Sequence, residues 1–192
     1  MLRDEPAEAE VVASDLVYEG RVWDVRSDTV RYGDGEIVRQ YVDHPGAAAV
    51  VAVDDERRVL LIQQYRHPIR HRDWEVPAGL LDIPGEEPLD AARRELAEEV
   101  DLEAVSWEPL VSIFTTPGGN DEVVHIFLAR GLTRVAEAHP REDEEADIRT
   151  EWLPLADAVD GILAGRLRNG ILIAGVLAAA EKLRQPEAPA GR

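Results

Sequence analysis

Three glutamates crowd into one short stretch, Arg94-Glu95-Leu96-Ala97-Glu98-Glu99, and no other feature limits so tightly what this chain can build. Pro88 suits a first helical position, where its missing N–H costs nothing. Leu89, Ala92, Leu96 and Val100 then recur at spacings of three, four and four, the apolar stripe of an amphipathic helix. At about 100° per residue, Glu95 and Glu99 lie roughly 40° apart and Glu98 about 60° beyond Glu95. All three carboxylates therefore fall along the edge of the buried face. Like charges at this spacing weaken an isolated helix by about 0.2–0.5 kcal/mol per pair. Arg94, four residues before Glu98, is placed to brace it. Two readings stand side by side: a solvated acidic face braced by arginine, or a site for a hard divalent cation with oxygen ligands, whose task is to meet a phosphate.

The residues before the helix weigh on that choice. The segment Gly79 to Leu102, GLLDIPGEEPLDAARRELAEEVDL, resembles the Nudix box: a glycine, five residues, a glutamate, seven residues, then Arg-Glu-aliphatic-any-Glu-Glu-any-Gly-aliphatic. Glu86 is the first glutamate, seven residues separate it from Arg94, and Glu95, Leu96, Glu98, Glu99 and Leu102 match in order. Two positions depart. Six residues rather than five separate Gly79 from Glu86, so the loop is one residue longer, which a loop absorbs at little entropic cost. Asp101 replaces the usual glycine, and Asp enters the left-handed region more cheaply than most residues. The chain is identified as a member of the Nudix family on these residues. The resemblance implies that Glu95 and Glu99 are metal ligands. It makes Glu98 a further ligand or a neighbour that hydrogen-bonds the ligands, and Ala78 a ligand through its carbonyl. Arg94 would orient the glutamates, and Glu86 would support them. The implied cofactor is Mg²⁺, with Mn²⁺ possible, at about two or three ions per site.

Flanking segments resemble the ADP-ribose pyrophosphatase branch. These are Thr115-Thr116-Pro117-Gly118-Gly119-Asn120-Asp121-Glu122, the run Trp74-Glu75-Val76-Pro77-Ala78-Gly79, and Asn169-Gly170 before an apolar helix. With the box, the likeness covers most of residues 12–184. It implies hydrolysis of ADP-ribose to AMP and ribose 5-phosphate. Pro117, Gly118 and Glu122 are expected at the substrate, and Trp74 and Glu75 near its adenine or ribose. Relatives carry a catalytic glutamate in the acidic loop Arg141-Glu142-Asp143-Glu144-Glu145. Glu145 is the expected general base toward a water, with Glu144 the competitor. A basic cluster, Arg66, His67, Arg70, His71 and Arg72, stands out in an acidic chain. Arg66 is the expected diphosphate or ribose contact, and Arg39 a weaker candidate; Arg grips phosphate oxygens in bidentate fashion.

Charge sets outer limits. With 21 Lys+Arg against 39 Asp+Glu, the net charge is −18, which disfavours nucleic acid and anionic membranes as partners. It also repels an anionic substrate at long range, so bound metal and local arginines must reverse the sign. The chain has no cysteine, which excludes disulfides and thiolate metal sites. Its five histidines show no ligand spacing, and no zinc is expected. The first residues, MLRDEPAEAE, lack the apolar core of a signal peptide, no apolar run approaches a membrane span, and a cytoplasmic location is expected.

The fold class expected is α/β in the broad sense (α+β): a Nudix fold, a mixed β-sheet sandwiched between helices, with an N-terminal antiparallel extension. Residues 1–9 and 185–192 read as polar tails, 10–45 as an N-terminal strand region and 46–184 as the hydrolase domain. Tyr32-Gly33-Asp34-Gly35 reads as a hairpin with an Asp-Gly turn. Ala47 to Val53, Val59 to Tyr65, Trp107 to Thr115, Val123 to Ala129 and Ile148 to Leu153 read as strands. Pro154 to Ala164 and Gly170 to Arg184 read as helices. The N-terminal strands either extend the sheet or form a dimer arm; relatives in this branch use such strands to build a homodimer, and a homodimer is expected here. Two other functions compete: hydrolysis of another nucleoside diphosphate derivative (an ADP-sugar, NADH or a dinucleotide polyphosphate), and a non-catalytic ADP-ribose-binding sensor. NADH-cleaving relatives usually carry a zinc-binding Cys set, and sensors usually have eroded glutamates; this chain has neither feature.

Overall fold

A computed structural model describes residues 2–136 and 147–184, and the chain forms two compact units. The first comprises residues 2–45 with Thr116–Glu122. It is a three-stranded antiparallel sheet in the order β1 (Val11–Tyr18), β2 (Asp24–Tyr32), β3 (Gly35–Asp43). The β2–β3 register pairs Tyr32 with Gly35, so the two-residue loop is Gly33-Asp34, one place earlier than the expected Asp-Gly turn. Gly33, at φ 60°, takes the left-handed position that such a tight connection requires.

The second unit holds the remaining elements. β4 (Ala47–Ala52) pairs in parallel with β9 (Val123–Arg134) and antiparallel with β7 (Ala78–Leu80); β8 (Leu102–Phe114) borders β9, giving the order β7-β4-β9-β8. A second sheet has the order β10 (Arg149–Pro154), β5 (Arg58–Arg66), β6 (His71–Glu75). The helices are α1 (Pro88–Val100), α2 (Leu155–Leu163) and α3 (Gly170–Arg184).

β4 explains the layering. Every one of its residues is buried, as the sequence of a parallel strand covered on both faces demands. Ala48, Val50 and Ala52 point to a cluster with Ala91, Ala92 and Leu96 of α1. Ala47, Ala49 and Val51 point to the other cluster, with Leu155 and Ala158 of α2 and Leu172, Val176 and Ala179 of α3. Period-two alternation along one strand thus splits the core in two, and the mixed sheet lies between helices as the sequence implies. Gly175 of α3 allows a close approach: a β-carbon there would come within 2.7 Å of Val51.

The sequence reading underestimates two strands and passes over two more. β8 begins directly after α1, and a register shift between Pro109 and Val111 breaks its alternation. β9 continues beyond Ala129 through Gly131, whose φ is 68°. β6 and β7 are short and separated by Val76-Pro77, so neither shows a period. Among the described residues no helix is long and apolar enough to cross a membrane.

Candidate active site

Helix α1 carries Arg94, Glu95, Glu98 and Glu99 of the box. Pro88 opens it, and Asp101 closes it in the left-handed conformation (φ 55°, ψ 39°), donating its N–H to the carbonyls of Ala97 and Leu96. The Asp-for-Gly departure therefore falls where glycine is ordinarily needed. No basic residue occupies the last turn. Glu98 and Glu99 instead face the negative end of the helix dipole, an arrangement that costs about 0.3–1 kcal/mol per charge. Glu95 and Glu99 are also buried, at 8% and 4% exposure. Buried, crowded and badly placed for the helix, these carboxylates gain nothing for stability on their own.

Arg94 gathers them. Its Nε and Nη2 donate to the two oxygens of Glu86 at 3.0 Å each, and its Nη1 donates to Glu95 Oε1 at 2.6 Å and Glu98 Oε2 at 3.1 Å. The hydrogen bonds to Glu86, with the charge of Glu95 and the hydrogen bonds to Glu95 and Glu98, push the Arg94 pKa up, so the guanidinium stays charged. In return Arg94 holds Glu86 below the ordinary carboxylate range. Glu99 turns the other way and accepts the Ala78 N–H at 3.0 Å. Gly79, next in β7, lies so close to Glu95 that a β-carbon would overlap its carboxyl group. The box glycine thus clears space for the Glu95 side chain, and the strand pairing of Gly79 with Ala48 fixes that spacing.

Three carboxylates share one guanidinium, and a fourth rests on a neutral N–H. The donors are hard oxygens, which suits Mg²⁺ or Mn²⁺ in chemistry. Among the described residues no three acidic or imidazole groups form a ready-made cage, because Glu95 and Glu98 both turn to Arg94. An ion held by Glu95 or Glu98 would have to take the place of that nitrogen.

The other expected residues distribute as follows. Arg66 of β5 and Glu75 of β6 form a bidentate pair, 2.7 Å in both arms, with the Glu75 side chain 7% exposed. Sequence alone treats each as a separate substrate contact and does not see their union. Trp74 packs on the core cluster shared with α2 and α3. Elsewhere in the basic cluster, Arg70 adopts φ 53° at the end of a 3₁₀ turn and Arg72 stands 3.4 Å from Asp147. Arg39, Pro117, Gly118 and Glu122 belong to the first unit. Arg39 donates to the Val38 carbonyl at 2.9 Å. Pro117 and Gly118 form a turn closed by N–H donation from Gly119 and Asn120 to the Thr116 carbonyl. Glu122 donates its N–H to Asn120 Oδ1 and stands 3.6 Å from His44, a neighbour that carries no sequence signal. Glu144 and Glu145 lie outside the described residues.

Comparison with known proteins identifies the family. The NUDIX domain model matches residues 43–172. An ADP-ribose pyrophosphatase of Mycobacterium tuberculosis is 46% identical over 172 residues, covering 88% of this chain and 82% of that protein. An ADP-ribose pyrophosphatase of Bacillus subtilis is 37% identical over 153 residues, covering 79% and 82%. The crystal structure of an ADP compounds hydrolase superimposes with a TM-score of 0.78 at 20% identity, covering 95% of this chain and 97% of that one, a likeness of fold. A glutamate-laden helix braced by Arg94, a strand glycine that makes room for Glu95 and a matching family model place this chain in the Nudix family of pyrophosphohydrolases.

Proposed function

We propose that the chain hydrolyses the diphosphate of ADP-ribose, giving AMP and ribose 5-phosphate. The observation that carries this is the buried pair Glu95 and Glu99 against Ala78 and Gly79, with Arg94 locking the neighbouring carboxylates. The likeness to ADP-ribose pyrophosphatases over most of the chain supports the choice of substrate.

Glu95, Glu98, Glu99 and the Ala78 carbonyl would hold Mg²⁺, or Mn²⁺ in its place, at about two or three ions. Such ions supply charge neutralisation at the diphosphate and acidify a water. Arg94 keeps Glu95 and Glu98 oriented until they are needed. Glu145, or Glu144 beside it in the loop, takes the proton of the attacking water. The new bond forms from water oxygen to phosphorus, and the bridging P–O bond breaks with its electron pair leaving on the departing phosphate. Arg66, presented by Glu75, contacts the diphosphate or ribose; Trp74, Pro117, Gly118, Glu122 and Arg39 complete the substrate surroundings. This reading includes residues 10–45 as a dimerisation arm and 46–184 as the hydrolase domain. Its setting is a cytoplasmic homodimer, without nucleic acid or membrane partners.

Product release from ADP-ribose, ADP-glucose, NADH and diadenosine polyphosphates with Mg²⁺ tests the substrate. ADP-ribose should lead in kcat/KM, and Glu99→Gln should lose on the order of 10²-fold or more, since even neighbours of metal ligands are worth that much. Near-normal turnover by Glu99→Gln would remove its metal role.

A further inference from the structure

Arg66 reaches past one carboxylate to hold another. In the β5–β6 register Gln64 stands opposite Asp73, and Ile62 stands opposite Glu75. Side chains two apart on a strand share a face, and so do directly opposed residues. Arg66, Gln64, Asp73 and Glu75 therefore project from one face. Asp73 is the nearer acid by register, the diagonal neighbour of Arg66 at about 7–8 Å between backbones. Yet Nε and Nη2 of Arg66 both donate to Glu75, at 2.7 Å each. Asp73 Oδ2 accepts instead from Asn169 Nδ2 at 3.2 Å.

Asn169 is itself held by the helix it precedes. Its Oδ1 accepts the Leu172 N–H at 3.0 Å and its carbonyl accepts the Ile173 N–H at 2.9 Å, so it caps the start of α3. An N–H must meet the amide oxygen, so the atom turned to Asp73 is the nitrogen. α3 lies on the opposite face of this sheet, where Leu172 and Val176 share a core cluster with Leu61, and Trp74 packs against it. β6 is an edge strand. The bond from Asn169 thus draws the Asp73 carboxylate round that edge, away from Arg66.

We propose that Asn169 is a positioning residue for substrate binding: it keeps Asp73 from joining Glu75 on the Arg66 guanidinium. One carboxylate neutralises Arg66, whereas two leave the group net negative, which repels a diphosphate. Glu75 is buried and stays with its cation, so Asp73 is the carboxylate whose direction matters. The inference rests on the reading of Arg66 as a contact to the diphosphate or ribose. That contact serves ground state and transition state alike, so weakening it raises KM and leaves kcat.

The experiment combines steady-state hydrolysis of ADP-ribose with Mg²⁺ by the full chain and crystal structures of the same variants. Asn169→Ser keeps an oxygen to cap α3 but is too short to hold Asp73. It should raise KM about tenfold, as expected for the loss of one hydrogen bond to a charged group, with kcat within about threefold. In its crystal structure Asp73 should lie within hydrogen-bond distance of Arg66. Asn169→Asp retains the cap and repels Asp73 outright; it should do the same, and it serves if the serine variant does not fold. Asp73→Asn removes the competing charge, so the double variant Asn169→Ser/Asp73→Asn should return KM to within about twofold of wild type. A clasp that merely tied β6 to α3 would leave the double variant no better than Asn169→Ser. That result, an unchanged KM in both Asn169 variants, or an Asp73 that stays away from Arg66 in their crystal structures overturns the inference. A wild type that leaves ADP-ribose intact, while Asp73 moves onto Arg66 in the variants, refutes the substrate reading and leaves the part played by Asn169 standing.

Discussion

Replacing Gly79 by alanine should damage stability and metal response together. The added β-carbon falls on the Glu95 carboxyl group. The strand cannot retreat, because Gly79 pairs with Ala48, which is fully buried in the centre of the sheet. Glu95 must therefore turn away, losing its 2.6 Å hydrogen bond to Arg94. A hydrogen bond to a charged group contributes about 1.5–3 kcal/mol. A side chain forced off its rotamer costs about 0.5–1.5 kcal/mol more. The two together come to about 2–4.5 kcal/mol, which for a chain of this size lowers Tm by roughly 4–18 °C. If Glu95 holds metal as proposed, displacing it by about 1 Å should cost on the order of 10²-fold in rate. Differential scanning calorimetry without metal reads the first effect, and Mg²⁺ titration of ADP-ribose hydrolysis reads the second. Gly118→Ala is the control for stability: a β-carbon there meets nothing within 4 Å, and its Tm should stay within about 2 °C of wild type. A Gly79→Ala protein with unaltered Tm and unaltered Mg²⁺ dependence would show that the glycine does not serve Glu95.

Glu86 lies below its ordinary pKa of 4.5 because Arg94 hydrogen-bonds it, so its contribution to stability is complete above that value and fades as pH falls through the lower folded-state value. The Tm gap between wild type and Glu86→Gln should therefore close on acidification below pH 4.5; a gap that holds constant from neutral pH into that range would contradict the pairing. Asp101→Val should cost roughly 1–2 kcal/mol in urea unfolding, because a β-branched residue tolerates φ 55° poorly, whereas Asp101→Gly should be neutral or slightly stabilising. Equal midpoints for Val and Asp would mean that the helix end relaxes. Val11, Val12, Leu16, Val17 and Tyr18 of β1 are all exposed in the single chain. Sedimentation equilibrium should give twice the 21.3 kDa chain mass, and Leu16→Glu should shift the species toward the monomer; a monomeric wild type would end the dimer proposal.

The box helix was legible in the sequence because its signals are local. Its apolar spacing, its opening proline and the left-handed demand at Asp101 all lie within one segment and agree with the structure. The motif marks Gly79 as its glycine, but the closeness to Glu95 that excludes a side chain there appears only when β7 is laid against α1. Distance in the chain hid the rest. Arg66 shows a positive charge and Glu75 a negative one, but only the antiparallel pairing of β5 with β6 reveals that each occupies the other. His44 looked like one of five unremarkable histidines until Val42 brought the Thr116–Glu122 loop beside it. β6 and β7 are too short for a period to appear, and the Pro109–Val111 irregularity broke the alternation by which β8 would have been read at full length.

The parallel union of β4 with β9 has a consequence for how the protein is born. β4 leaves the ribosome early, but the strand it must lie against is synthesised only after the whole glutamate-bearing helix and β8. Until then a water-averse ribbon, Ala47 to Ala52, has only the short β7 to pair with in its own sheet. Contacts so far apart in the chain form slowly, and uncovered strands invite association with neighbours. A nascent polypeptide halted before Val123 would carry every glutamate of the box and still be unable to close the sheet on which those glutamates depend.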